Sequence, residues 1–299
     1  MRLLRNVVPA FVGSAALIAS TAIAQEPLEA GKLPASWPTG GPTCGSEEAF
    51  RIHEYNPDFV ILRQSGCTNY EKPFLYLLFG ARRALLFDTG APGADVSGPV
   101  SALLRQWSAR HHDRLPSLLA VHSHGHSDHT AGDAPLQAAG ATVVTAKPDA
   151  VQRFFGITRW PDQVVTYDLG ERVLDVIPIP GHEVASIALY DRRTGILLTG
   201  DTVYPGRLYV RDGSAFAKSI ERLVGFTKGR PIAHVLGAHV ENQRTPFADY
   251  PVGTKHQPDE HELALGRAHI LELFDALRDM GDRVTRRALR DLTIFPVGN

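Results

Sequence analysis

The sequence predicts an α/β layered fold in a single domain, with sheets at the centre and helices outside. Short β-rich segments alternate with amphipathic ones, and the alternation repeats in two similar halves. No linker-like shift in composition divides residues 44–299.

In the first half, residues 50–55, 59–63, 74–79 and 84–87 are β-rich and separated by turn residues. The last runs into Asp88-Thr89-Gly90. Residues 96–107 then place Val96, Val100, Leu103, Leu104 and Trp107 on one helical face. Residues 118–121 form a short apolar strand that enters a His-rich loop. A helix over 134–139, a strand over 142–145 and a helix over 149–155 follow.

The second half repeats the theme. Residues 172–179 read as a strand stopped by Pro180-Gly181, and 186–190 with 196–199 as a hairpin. Residues 215–226 read as an amphipathic helix, 233–236 as a strand and 260–280 as the longest helix. Phe295 lies in a short terminal strand. Residues 25–43 are rich in Pro and Gly without periodicity and read as an extended leader or strap.

The 31 basic and 32 acidic residues give no strong field, which disfavours nucleic-acid or membrane partners attracted by bulk charge. A 43% hydrophobic content is that of a globular chain, and 299 residues are enough to bury a sizeable core. The N-terminus is different. Arg2 and Arg5 precede an uncharged apolar or small run over 7–23, and Ala22-Ile23-Ala24 has the small-x-small form of a cleavage site. The expectation is a secretory signal peptide over 1–24, cut after Ala24, with a periplasmic or secreted product. Pro9 and Gly13 argue against a buried helix or anchor there. Removing 1–24 leaves 29 basic and 32 acidic residues. In an oxidising compartment, Cys44 and Cys67 are expected to form a disulfide across a short loop, the alternative being two free thiols. Two cysteines do not make a zinc ribbon.

The chemistry concentrates at strand ends. The segment Val121-His122-Ser123-His124-Gly125-His126-Ser127-Asp128-His129 contains H-x-H-x-D-H in one register only: His124, His126, Asp128 and His129. Residues two apart in an extended segment point the same way. Imidazole suits zinc and similar metals, and carboxylate adds a charged ligand. Four metal-competent residues in six positions seldom arise as mere surface polarity. Downstream, His182, Asp201 and His239 each follow an apolar strand, as Asp88 does earlier. His53, His111, His112, His256, His261 and His269 carry no such signal, and His234 reads as a packing residue.

In that order, H-x-H-x-D-H followed by His, Asp and His resembles the metallo-β-lactamase-fold hydrolase superfamily, over about Ile61 to His239. The resemblance implies a four-layer αββα sandwich with two divalent cations at the edge between the sheets, zinc the expected metal. His124, His126 and His182 would hold one ion, Asp128, His129 and His239 the other, and Asp201 would bridge them. Asp88 would support the metal loop. Two such ions share a water, lower its pKa and generate the nucleophile. Asp128 would orient it or shuttle a proton. No G-x-S-x-G elbow offers a serine route.

β-Lactamases of this fold usually carry Cys or Ser where this chain has Asp201. Gly200-Asp201-Thr202 is closer to glyoxalase II and lactonase-like members. The expected reaction is hydrolysis of a small ester, lactone, thioester or amide. The alternatives are a periplasmic β-lactamase and a metal-binding protein without turnover. Tyr204 matches the spacing of a lactonase tyrosine that stabilises an oxyanion, and packing at the mouth of the site is the equal alternative. Arg207 and Arg211, with Tyr209, either line that mouth and attract a carboxylate or belong to a solvated loop, the second being favoured for both arginines.

Overall fold

A computed structural model describes residues 27–41, 44–112 and 114–298. The segment expected to be a signal peptide, 1–24, lies outside the described residues.

Two six-stranded sheets form the centre. The first contains β1 (Phe50–Asn56), β2 (Phe59–Gln64), β3 (Phe74–Phe79), β4 (Arg83–Phe87), β5 (Ser117–Val121) and β6 (Thr142–Val143), in that order. The second contains β7 (Val165–Asp168), β8 (Val173–Pro178), β9 (Ile187–Asp191), β10 (Ile196–Gly200), β12 (His234–Gly237) and β13 (Ala264–Leu265), ordered 13-12-10-9-8-7. A small third sheet pairs β11 (Arg207–Val210) with β15 (Thr293–Pro296) and β14 (Arg287–Ala288). The longer helices are α1 (Ser97–His111), α4 (Pro148–Phe155), α5 (Gly213–Thr227) and α6 (Arg267–Met280). Two short ones, α2 (Ser127–Thr130) and α3 (Asp133–Ala138), follow β5.

The period-two alternation of the strands builds the layers. Ile61, Tyr76, Leu78, Leu85 and Phe87 face the inter-sheet core with Leu174, Val176, Leu189 and Leu198. Their neighbours Val60, Leu62, Leu75, Leu77 and Leu86 pack outward on Val100, Leu103 and Trp107 of α1. Ile177, Ala188, Leu197 and Val235 pack outward on α5 and α6 through Phe216, Ile220, Ile270 and Leu273. The result is the αββα sandwich, in one domain. Among the described residues no helix is long and apolar enough to cross a membrane.

Parallel pairing brings the chemistry to one edge. β4 runs parallel to β5, and β10 to β12, so each pair delivers its carboxyl ends side by side. Two main-chain hydrogen bonds join the sheets at that edge: Ile187 N–H to the Ser123 carbonyl, and Phe74 N–H to the Ala238 carbonyl, both 2.8 Å.

Two expectations need correction, and one strand was not expected. The helix expected over 260–280 begins only at Arg267. Glu260 is buried and paired at 2.6 Å with the buried Arg63, whose guanidinium also donates to the Trp37 carbonyl, while Trp37 N–H donates to Glu260. Removing one partner of such a pair costs about 3–5 kcal/mol, which outweighs local helix propensity. The stretch around Arg207 is not a solvated loop but strand β11, paired in parallel with β15. Finally, β7 is an edge strand of only four residues that the pattern did not disclose.

Residues 27–41 contain no helix or strand, and Trp37 is buried against Phe74. Cys44 and Cys67 are joined in a disulfide, with their Cα atoms 5.3 Å apart.

Candidate metal centre

His182, Asp201 and His239 follow strand ends, whereas Asp128 and His129 lie in α2, and two glycines explain how the chain reaches Asp201 and His182. Gly200 lies at φ +51°, and a Cβ there would come within 2.4 Å of Ser123 Cβ, so a side chain would push β10 off the His-rich loop. Gly181 lies at φ +142°, and its Cβ would meet the Phe216 backbone at 2.4 Å. Glycine there lets the chain turn against the start of α5 and present His182.

The seven residues form two sets. His124 Nε2, His126 Nδ1 and His182 Nε2 lie 2.8, 3.1 and 3.2 Å from one another. Asp128, His129, Asp201 and His239 make the second set. Asp128 Oδ2 lies 3.2 Å from His129 Nε2 and 3.4 Å from His239 Nε2. Asp201 spans both. Its Oδ2 lies 3.8 and 3.6 Å from His124 Nε2 and His182 Nε2, and its Oδ1 lies 3.5 and 3.3 Å from His129 Nε2 and His239 Nε2.

These donors fit divalent metal. Tetrahedral bonds of about 2.0–2.1 Å place donor atoms about 3.3–3.4 Å apart, within the spread seen here. Asp201 Oδ1 is buried without a hydrogen-bond partner, a costly state for a carboxylate oxygen that a cation would relieve. A site closed by Cys or extra His would suit a purely structural ion; here both sets border an open cavity.

The ring nitrogens turned away from the cluster are held. His182 Nδ1 donates to the Tyr209 carbonyl at 2.7 Å and His239 Nδ1 to the Glu71 carbonyl at 2.9 Å. His129 Nδ1 faces Asp88 Oδ2 at 3.0 Å. Asp88 also accepts from Ser123 N–H at 2.7 Å and Ser123 Oγ at 2.9 Å, so it fixes the loop as well as the ring. Fixing one nitrogen selects the tautomer that presents the other.

Electrostatics follow from the crowding. In the metal-free chain burial holds His124 well below its ordinary range. Burial would raise the Asp128 and Asp201 carboxyls, but the neighbouring His129 and His239 more than offset it and hold both well below the carboxylate range. Burial would also lower His239, yet Asp201 and Asp128 raise it to about 9. The second set thus holds proton charge that a cation would displace.

Other candidates fall elsewhere. Tyr204 is buried: its hydroxyl donates to the Arg207 carbonyl, lies 3.2 Å from Glu241, and its ring meets His239 edge-on. Its phenol is therefore engaged inside the fold, the packing arrangement rather than the oxyanion one. Arg207 is buried and bound to Glu241 and Asp249, both at 2.7 Å, with its Nε on the Tyr209 hydroxyl at 3.0 Å. Arg211 is exposed, lines the mouth with Tyr209, and has no ion-pair partner among the described residues. His122, excluded by the register of the motif, faces Asp133 and the Val144 carbonyl instead of the cluster.

Ser123 and the carbonyls of Glu71 and Tyr209 were not foreseen. Only the spacing of Ser123 within the motif could have suggested it, and main-chain carbonyls leave no side-chain signature.

Known proteins resemble this chain in sequence and in fold. The profile described as "Metallo-beta-lactamase superfamily" matches residues 73–274. An acyl-coenzyme A thioesterase, MBLAC2 of Bos taurus, is 30% identical over 201 residues, 55% of this chain and 72% of the thioesterase. A hydroxyacylglutathione hydrolase of Anaeromyxobacter dehalogenans is 34% identical over 177 residues, 58% of this chain and 60% of the hydrolase. Among solved structures, a metallo-beta-lactamase from Pontibacter korlensis superposes with a TM-score of 0.52 at 18% identity, covering 77% of this chain and 99% of that one. The last likeness concerns the fold alone. With the family match spanning residues 73–274 and the fold in agreement, the chain belongs to the metallo-beta-lactamase superfamily and is a hydrolase of that group.

Proposed function

We propose that this hydrolase is exported, binds two divalent cations, zinc the expected pair, and cleaves a small acyl compound, with thioesters first and esters, lactones and amides next. The observation that carries the reading is the Asp201 carboxylate, which turns one oxygen to each donor set. His124, His126 and His182 would hold one ion, and Asp128, His129 and His239 the other. Two cations held by these residues would supply a water of near-neutral pKa and polarise an acyl carbonyl.

The chain's own groups do the rest. Asp128 stays ionised, lines the cavity over the cluster and is placed to accept a proton. The Tyr209 and Glu71 carbonyls hold His182 and His239 with Nε2 inward. The preference for thioesters is supported by relatives named for acyl-coenzyme A and hydroxyacylglutathione cleavage. Export is supported by the Arg2/Arg5 and 7–23 pattern and by the Cys44–Cys67 disulfide.

The test joins metal analysis to a substrate panel. Reconstituted protein should carry two metal equivalents and hydrolyse thioesters faster than β-lactams. Two metals without turnover on thioesters, esters, lactones, amides or β-lactams would leave a binding protein. Turnover confined to β-lactams would replace the acyl reading. Protein recovered from a periplasmic fraction should begin at Gln25, and an intact Met1 in a cytosolic pool would sink export.

A further inference from the structure

The donor cluster stands at the junction of two unlike cavities. The mouth directly over it has a volume of about 370 Å³ and is polar, lined by Glu71, Asp128, Asp201, Tyr209 and Arg211. Beside it runs a groove of about 1060 Å³ that shares His126, His182 and Arg211 with the mouth. The groove's walls are Trp160, Pro161, Pro180, Val184 and Ala215. Its two acids are already engaged: Glu183 accepts from Ala185 N–H and Asp212 from Ala215 N–H.

Val184 is 60% exposed, an unusual position for an apolar side chain two residues from His182. Trp160 is half-buried, resting on the inter-sheet core while it lines the groove. An apolar wall that is built, held and left open invites an apolar ligand.

An acyl ester or thioester is divided in the same way, with an apolar limb on one side of the carbonyl and a polar leaving part on the other. We propose that the groove receives the apolar acyl limb of the substrate, and that Trp160 and Val184 set the preferred chain length. This assignment rests on the hydrolase reading above, and it goes beyond it by fixing which half of the substrate lies where.

The experiment compares two substrate series on metal-loaded protein. One varies the acyl chain from acetyl to hexanoyl on a single thiol; the other varies the thiol under a constant acetyl group. kcat/KM should rise roughly 3- to 4-fold per methylene in the acyl series. Val184→Asp, at an exposed position that tolerates charge, should flatten that slope to below about 1.5-fold per methylene. An unchanged slope, or an effect confined to the thiol series, would overturn the assignment.

A second readout does not depend on turnover. 10-Bromodecan-1-ol, whose bromine quenches indole emission on contact and which has no carboxylate to bind metal, should quench Trp160 fluorescence in the loaded protein. Trp37 and Trp107 are buried, so the response should vanish in Trp160→Phe. Quenching without thioesterase activity would keep the groove and dismiss the thioester preference. Turnover without a chain-length slope or quenching would dismiss the groove alone.

Discussion

Asp88 Oδ2 lies 3.0 Å from His129 Nδ1, which leaves His129 Nε2 facing Asp201 and Asp128. A carboxylate behind an imidazole fixes its tautomer and raises its basicity as a ligand. Asp88→Asn keeps the shape but loses the charge and one acceptor. The affinity of the second metal should fall about 10- to 100-fold, with the first little changed. Competition with a chromophoric chelator measures both, and equal weakening of the two ions would contradict the assignment.

Asp128 and Tyr204 should behave in opposite ways. Asp128→Asn should lower kcat at least ~100-fold, the lower end for a positioned acid–base group, with the fold intact. Tyr204→Phe removes a buried hydroxyl that donates to the Arg207 carbonyl, so its cost should be stability, about 1 kcal/mol, with kcat changed less than about 3-fold. Turnover and thermal midpoint, measured on both variants at full metal occupancy, decide this. A tenfold loss of kcat in Tyr204→Phe without destabilisation would return it to the chemistry.

The pH response of the metal-free protein follows from His239. Its folded pKa, about 9, exceeds its ordinary value of 6.5. A base raised in this way contributes stability fully below its unfolded pKa and loses it as pH rises through the folded one. The metal-free thermal midpoint should therefore fall between about pH 6.5 and 9. The loaded protein, with neutral ligating imidazoles, should not share that fall, and metal uptake at pH 7 should release protons. Calorimetry with and without chelator, and pH-stat titration during loading, read the two effects. A flat metal-free midpoint across that window would refute the charge assignment.

Arg211 is the cation at the mouth that carries no partner among the described residues, in contrast to Arg207. Arg211→Ala should raise KM about 5- to 10-fold for substrates bearing a carboxylate and leave matched neutral substrates within about 2-fold. Added salt should shrink the wild-type advantage. Steady-state kinetics on one anionic and neutral pair, at two ionic strengths, suffice. An equal effect on both substrates would make Arg211 a wall rather than a charge filter.

The sequence by itself determined the layers and the metal cluster. Strand alternation placed Leu85 and Phe87 on one face and Leu86 on the other, and the local spacing of His124, His126, Asp128 and His129 carried its chemistry without reference to distant residues. His182, Asp201 and His239 were legible because each follows an apolar strand, a short-range pattern.

Only the tertiary structure decided what depended on distant partners. Glu260 ends where Arg63 holds it, against the helical pattern around it. Arg207 and Tyr204 turn inward because Glu241, Asp249 and a backbone carbonyl meet them there. The supporting carbonyls of Glu71 and Tyr209 exist as functional groups only once the sheets have docked. The physical reason is range: periodicity and ligand spacing act over a few residues, whereas burial of a charge or a hydroxyl is settled by whichever partner the fold delivers.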